Sequence, residues 1–359
     1  GQLLRCSLIM VNKVSCYQKS ALAGLSPMLA RLSAGTEMSS YGEAQWNFLL
    51  DGGDVTAFVA EPDDESGDGG NDGGGGARRL DGCLLRIQLP KAGTAGDDGG
   101  GADCGFGMML VRPGARGRGV ARSLLDGALS AGPGGCGATA RKLLPVCTAA
   151  GQPVYKKLGF RAAGRVTALS TTVGSARNIP LEAEEARMRV RTYGSTHLQK
   201  DTTGPAPPLD PAIRDLFLAM DAKATGYDRT ERLSFLLKND PAGTARSILA
   251  TATTTGGDVV AAAILRREQP GGPFVIGPMM GTTEAALPLV RALAASVTEE
   301  RDDDTRVSIL LSDHLDLVER FRSVNFESSF DFPAMTLDGR PIYDQGDGSY
   351  LSIIHPTLG

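Results

Sequence analysis

Cysteine and histidine are scarce in this chain, with six of the first and three of the second among 359 residues. The cysteines (Cys6, Cys16, Cys83, Cys104, Cys136 and Cys147) form no C-x-x-C pair, and His197, His314 and His355 lie far from them in sequence. H-E-x-x-H is also missing, so no metal-ligand spacing is present and no metal is expected. The cysteines are too few for a disulfide-built scaffold of this length. Free thiols in a reducing, cytoplasmic compartment are therefore expected. Positive charge is not in excess either: 37 basic side chains face 41 acidic ones, for a net charge of −4. That argues against a nucleic-acid binder of the basic-patch kind. The longest uninterrupted apolar run, Val259 to Leu265, is seven residues, far short of the ~20 that span a bilayer as a helix. Leu8 to Val11 follows Arg5, but without a long apolar region or a small-residue cleavage site it does not read as a secretory leader.

What the chain has in excess is glycine, at 47 residues, roughly twice the usual ~7%. Part of the excess is local. Ser66–Gly76 and Gly93–Gly101 are acidic, glycine-rich tracts that cannot bury a core, and they read as insertions near 63–78 and 91–103. Around them, Val55–Ala60, Leu80–Leu89 and Gly105–Val111 read as three strands of an antiparallel meander. Ala121, Leu124, Leu125 and Ala128 then recur at helical spacing from about Gly119. A strand is expected over Ala140–Thr148 and a short helix over Pro153–Leu158, with Pro153 suited to its first turn and Gly159 to its stop. From about 171 to 208 the rhythm is lost, ending in Gly204-Pro-Ala-Pro-Pro208, so 171–208 reads as a linker.

After it, helices are expected near Pro211–Asp221 and Thr230–Leu237, and strands near Ser247–Thr253, Val259–Arg266 and Phe274–Met280. A helix carrying Ala286, Leu289, Val290, Leu293 and Val297 follows, then Arg306–Leu311, a helix Leu315–Ser323 and strands from Phe326 and Ser349. The order of elements repeats. The fold class is α/β (α+β), as two copies of one unit over 1–170 and 209–359, a division that accords with the length.

The most informative stretch is Val111-Arg-Pro-Gly-Ala-Arg-Gly-Arg-Gly-Val-Ala121, between a strand and a helix. Backbone N–H groups at a helix N-terminus lack intrahelical acceptors and the dipole adds positive charge, so a phosphate is the natural occupant. Glycine lets the backbone approach it closely. The P-loop pattern G-x-x-x-x-G-K-[S/T] is absent. Gly132, Gly134 and Gly137 match the dinucleotide fingerprint but precede a strand, where the match is coincidental. The pattern that fits is [Arg/Gln]-x-x-Gly-x-[Gly/Ala], met by Arg116, Gly119 and Ala121 after a Val-x-Pro lead-in. Some thirty residues on stands Tyr155-Lys-Lys-Leu-Gly-Phe160. Together these resemble the acetyl-CoA signature of the GNAT N-acetyltransferase superfamily, over about Trp46 to Ser170. Gly226-Tyr-Asp-Arg229, Ile276-Gly-Pro278 and Pro333-Ala-Met335 through Gly339-Arg-Pro341 are similar to the C-terminal domain of two-domain bacterial GNAT proteins. The glycine-rich tracts depart from the family, and the region before Trp46 matches it poorly.

The resemblance implies tandem GNAT-like folds, each a mixed, mostly antiparallel sheet flanked by helices. It also implies acetyl-CoA as cosubstrate and direct attack by a primary amine of a small molecule or protein. Arg116, Gly117, Arg118, Gly119, Val120 and Ala121 would hold the pyrophosphate. Met109, Leu110 and Val111 would line the pantetheine arm, and Tyr155 would protonate the leaving thiolate. The competing reading is a non-catalytic acyl-CoA-binding or scaffold protein. Glu43 and Asp103 are positional candidates for a general base. His314, after Asp313, reads as a capping residue, and Asp228-Arg229 as a structural ion pair. The second copy's counterpart of the loop, Ile276–Glu284, lacks the Arg-x-x-Gly-x-Ala spacing and carries Pro278 and Glu284, so it is expected not to bind CoA.

Overall fold

The computed structural model describes residues 13–18, 22, 24–36, 41–51, 55–62, 79–93, 102–130, 136–137, 139–194, 209–237, 246–267, 272–297, 303–343, 346 and 349–353. The tract 66–76, almost all of 93–101, Gly132, Gly134, Cys6 and the Gly204–Pro208 stretch lie outside them. The first half runs β1 (Lys13–Tyr17), α1 (Ser26–Ala34), α2 (Glu43–Leu50), β2 (Val55–Glu61), β3 (Gly82–Leu89), β4 (Asp103–Val111), α3 (Val120–Ser130), β5 (Lys142–Leu144), α4 (Gln152–Lys157) and β6 (Arg161–Thr172). Next come α5 (Val173–Arg177), β7 (Arg189–Gly194), α6 (Pro211–Thr225), α7 (Thr230–Leu237), β8 (Arg246–Thr253), β9 (Val259–Arg267) and β10 (Phe274–Gly281). The chain closes with α8 (Ala286–Ala295), β11 (Arg306–Ser312), α9 (Leu315–Ser323), β12 (Glu327–Thr336) and β13 (Tyr350–Ser352).

All 13 strands form one sheet, ordered β1-β2-β3-β4-β5-β12-β6-β11-β13-β10-β9-β8-β7. Read outward from the central β12–β6 pair, the same succession appears on both sides, with β13 the extra strand. Pairings are antiparallel except β4–β5 and β10–β11. The last long strand of each half is exchanged: β12 lies against β5, and β6 against β11. Each half thereby completes the edge of the other, so neither ends in an unpaired strand at the centre. One buried apolar cluster lies under both halves on one face (Leu29, Trp46, Val166, Phe217, Tyr350). Two others cover the opposite face, one per half, beneath α3 and beneath α8.

Three expectations need correction. The strand expected over Ala140–Thr148 is only Lys142–Leu144. Pro145 has no N–H to continue a ladder, and the Cys147 amide turns instead to the Pro333 carbonyl at 3.0 Å. The stretch 171–208 is not a linker over its first part, because it holds the end of β6, α5 and β7, and β7 pairs with β8 along its whole length. The free-thiol expectation fails for Cys104 and Cys136, which form a disulfide with Cα atoms 6.0 Å apart. Cys136 thereby lies against the start of β4. A smaller difference concerns α3, whose buried stripe is Val120, Leu124, Leu125 and Ala128; Ala121 is only half-buried.

The seam between the halves is polar as well as apolar. Asp103, fully buried, accepts from the Arg141 amide and the Tyr227 hydroxyl, each at 2.9 Å. Arg141 sends its guanidinium across to Asp338 (2.8 Å) and to the carbonyls of Arg340, Pro341 and Ile342. Arg229 pairs with Asp221 rather than with its neighbour Asp228, through bonds of 3.0 and 2.5 Å, with Tyr350 beneath the guanidinium. Asp228 caps α7 through the Thr230 amide. Removing one partner of such a buried pair leaves an uncompensated charge, so Asp221→Ala should lower the unfolding free energy by about 3–5 kcal/mol. Equilibrium urea unfolding measures this, and a loss of under about 1 kcal/mol, typical of surface pairs, would show that the pair does not hold the second half together.

Candidate active site

The loop from β4 to α3 leaves the N-terminus of α3 open. Gly117 and Gly119 adopt φ of +77° and +82°, conformations that L-residues avoid. A Cβ placed on either would meet nothing within 4 Å, so the space above them is open. The first helical hydrogen bond of α3 runs from the Ser123 amide to the Gly119 carbonyl. The amides of Val120, Ala121 and Arg122 precede it and have no helical acceptor, which makes this end a place for negative charge. Arg116 braces the loop from below, its Nε donating to the Val111 carbonyl at 3.3 Å.

Beside this loop the sheet opens. β4 and β5 pair only at Cys104–Lys142 and Gly105–Leu143, so the rest of β4 has no partner on that side. A bulge against β3 accompanies the opening, with Met108 at φ +50°; bulges of this kind re-aim side chains and end pairing near sites. The gap leads into a cavity of about 520 Å³, within the range of small-molecule and cofactor sites. Of the residues singled out from sequence, Met109, Leu110, Val111, Arg116, Gly117, Gly119, Val120, Ala121 and Tyr155 all line it. Arg118 does not, and it is exposed. Thr36, Thr148, Ala150, Gly151, Val154 and Leu158 also line the cavity and were not anticipated. Gly151 precedes Tyr155 by one helical turn, and that i, i+4 spacing was the available signal.

Tyr155 is buried on α4, its ring edge-on to Phe160. Burial, and then the neighbouring Cys147 thiol, push its phenol above the ordinary value. It therefore stays protonated, in the donor form, well above neutral pH. Burial also pushes the Cys147 and Cys83 thiols up to about 12, which keeps them from the thiolate form a nucleophile needs. The two general-base candidates are elsewhere: Glu43 is exposed in the first turn of α2, and Asp103 is spent on the seam. Among the described residues no group of three or more His, Cys, Asp or Glu is placed to hold a metal, and no helix is long and apolar enough to cross a membrane.

Residues 86–162, which hold all of the cavity lining except Thr36, match the family model of the acetyltransferase (GNAT) domain. Over those residues the chain is similar to the GNAT acetyltransferase domain. Solved structures with the same architecture include a candidate acetyltransferase from Pyrococcus horikoshii, 14% identical, covering 99% of this chain and 98% of that one at a TM-score of 0.60. A tandem GNAT protein from the clavulanic acid biosynthesis pathway is also 14% identical, covering 90% of this chain and 98% of that one at 0.56. A GCN5-related glucosamine N-acetyltransferase region of a fungal multi-domain β-N-acetylglucosaminidase is 11% identical, covering 92% of this chain and 39% of that one at 0.58. At such identities the likeness is one of fold. No curated protein matches in sequence.

The GNAT fold recurs in the second half without the opening. Its counterpart of the β4–β5 gap lies between β10 and β11, and β13 is inserted there, paired with both. Pro278 is not in the loop, as the sequence suggested, but inside β10 at the irregularity between Ile276 and Met279. Its missing N–H therefore does not bear on the start of α8. The Glu284 carboxylate does lie there, held below the usual range by its own backbone amide and the Thr282 and Thr283 hydroxyls. That places an internal anion at the start of α8. Calorimetric titration with acetyl-CoA should accordingly give one site per chain, and none in Gly119→Trp with an unchanged far-ultraviolet spectrum. Two sites, or a residual site in the variant, would show that the second half also binds.

Proposed function

We propose that the first half, residues 1–170, is an acetyl-CoA-dependent N-acetyltransferase acting on a primary amine, and that residues 209–359 form a GNAT-like partner that binds no CoA. The observation that carries this reading is the continuous cavity. It joins the open cradle over Gly117 and Gly119, the unpaired end of β4 and the Tyr155 ring.

The residues suit the cosubstrate. The amides of the first turn of α3, with the two glycines, would bind a pyrophosphate by hydrogen bonds from backbone donors, where a Cβ would block approach. The unpaired backbone of Met109 to Val111 offers strand-like hydrogen bonds to the amide groups of a pantetheine arm, as a missing strand would. Acetyl-CoA supplies an acyl carbon activated as a thioester. The gap between β4 and β5 orients that carbon toward the face from which an amine arrives, and proximity of this kind replaces a covalent enzyme intermediate. Tyr155, neutral and in the donor form, gives its proton to the leaving sulfur.

Tyr155→Phe should lower kcat by about 10²–10⁴ while leaving acetyl-CoA affinity within a factor of about two. Thiol release assayed with an amine panel, alongside calorimetry, checks both numbers. Equal losses of rate and affinity would assign the tyrosine to packing. Binding with no turnover for any amine would favour an acyl-CoA-binding protein.

A further inference from the structure

A second cavity, of about 180 Å³, lies on the face of the sheet whose apolar cluster runs under both halves. Both halves build it. Its buried end is Pro145, the residue directly after β5, beside the opening through which the first cavity reaches the sheet. Its middle is apolar: Val166 from the first half, and Ala334, Ile342 and Ile353 from the second. Its exposed end is polar and belongs to the second half, with Asp313, His314 and Tyr343.

That polar end is short of donors. Asp313 uses one carboxylate oxygen to accept the Arg165 amide at 2.8 Å, and among the described residues it has no ion-pair partner. His314 Nε2 stands 3.0 Å from the Tyr350 carbonyl. A carbonyl only accepts, so Nε2 carries a proton in this contact. The Tyr343 hydroxyl is buried beside the Tyr350 side chain. The nearby Arg229 charge is already taken by Asp221. The site thus has an apolar channel between a reaction end and an acidic, acceptor-rich mouth.

We propose that this cavity holds the acceptor, and that the acceptor is a short linear diamine. One amine would lie at the Pro145 end for acylation, the methylenes against Val166, Ala334 and Ile342, and the second, as ammonium, against Asp313. The size agrees. A cavity of 150 Å³ admits a benzene ring, so this one takes a chain about as large as diaminopentane. The proposal rests on the acyl-transfer reading. In the step itself the amine nitrogen forms the C–N bond, the C–S bond breaks with its electron pair on sulfur, and the sulfur takes the Tyr155 proton. The amine proton leaves to solvent, and Tyr155 regains a proton from solvent.

The test compares diaminopentane with pentylamine, which has the same chain without the second amine, in the full-length protein at saturating acetyl-CoA. The KM for diaminopentane should be lower by about tenfold, the size of one charge-assisted hydrogen bond. Asp313→Asn should raise the diaminopentane KM about tenfold more than the pentylamine KM, which removes that advantage. Asparagine keeps the acceptor for the Arg165 amide and tolerates the left-handed backbone at this position (φ +51°). Tyr343→Phe, which removes only the hydroxyl, should weaken both amines alike. Equal KM values in the wild-type protein, an equal response of both amines to Asp313→Asn, or acylation of lysine peptides alone would overturn the proposal. If no amine releases thiol, calorimetry of diaminopentane in the presence of CoA separates the two readings. Binding that Asp313→Asn removes would keep the pocket and discard acyl transfer, and absence of binding would discard the pocket.

Discussion

The exchange of β6 and β12 is the constraint on which the rest depends. Each half of the molecule ends its meander on a short parallel strand, β5 or β11, whose outer edge would otherwise be a row of unpaired backbone groups. The strand that closes β5 comes from the far end of the chain, and the strand that closes β11 comes from the middle. Neither half has a complete sheet without the other. The division into residues 1–170 and 209–359 therefore describes the order of elements along the chain better than it describes separable bodies.

The polar contacts at the seam follow from that exchange. Once β12 lies against β5, Arg141 faces the turn after β12 and saturates its carbonyls and Asp338. Asp103, at the start of β4, meets Tyr227 from the second half. Buried, fully hydrogen-bonded charges contribute little net energy against an apolar alternative, but a shift of register would strand them. They fix one alignment of the halves, and with it the small cavity that both halves line.

The two halves then differ by what fills equivalent places. In the first, the gap beside β4 is open and two glycines clear the floor of the helix N-terminus. In the second, β13 fills the gap and Glu284 supplies the negative charge at the helix start. The same fold thus has an open cavity in one copy and a closed sheet in the other, which is why fold alone does not settle function.

Much of this was legible in the sequence because it is local. Helical spacing in Ala121–Ala128, the stop at Gly159, the strands of the second half and the glycine-rich loop at Arg116–Ala121 all depend on residues within one or two turns of each other. Tyr155 was legible for the same reason, through its place four residues before the glycine that ends α4. What the sequence could not determine depends on contacts between distant segments. Periodicity marks β6 and β12 as strands but is silent on which edge each one joins. It does not reveal that β13 enters the second gap, that Asp103 is spent on Tyr227, or that Cys104 meets Cys136. Asp313, His314 and Tyr343 carry no pattern of their own. They become neighbours of Pro145 only because the exchanged strands bring the two halves onto one sheet.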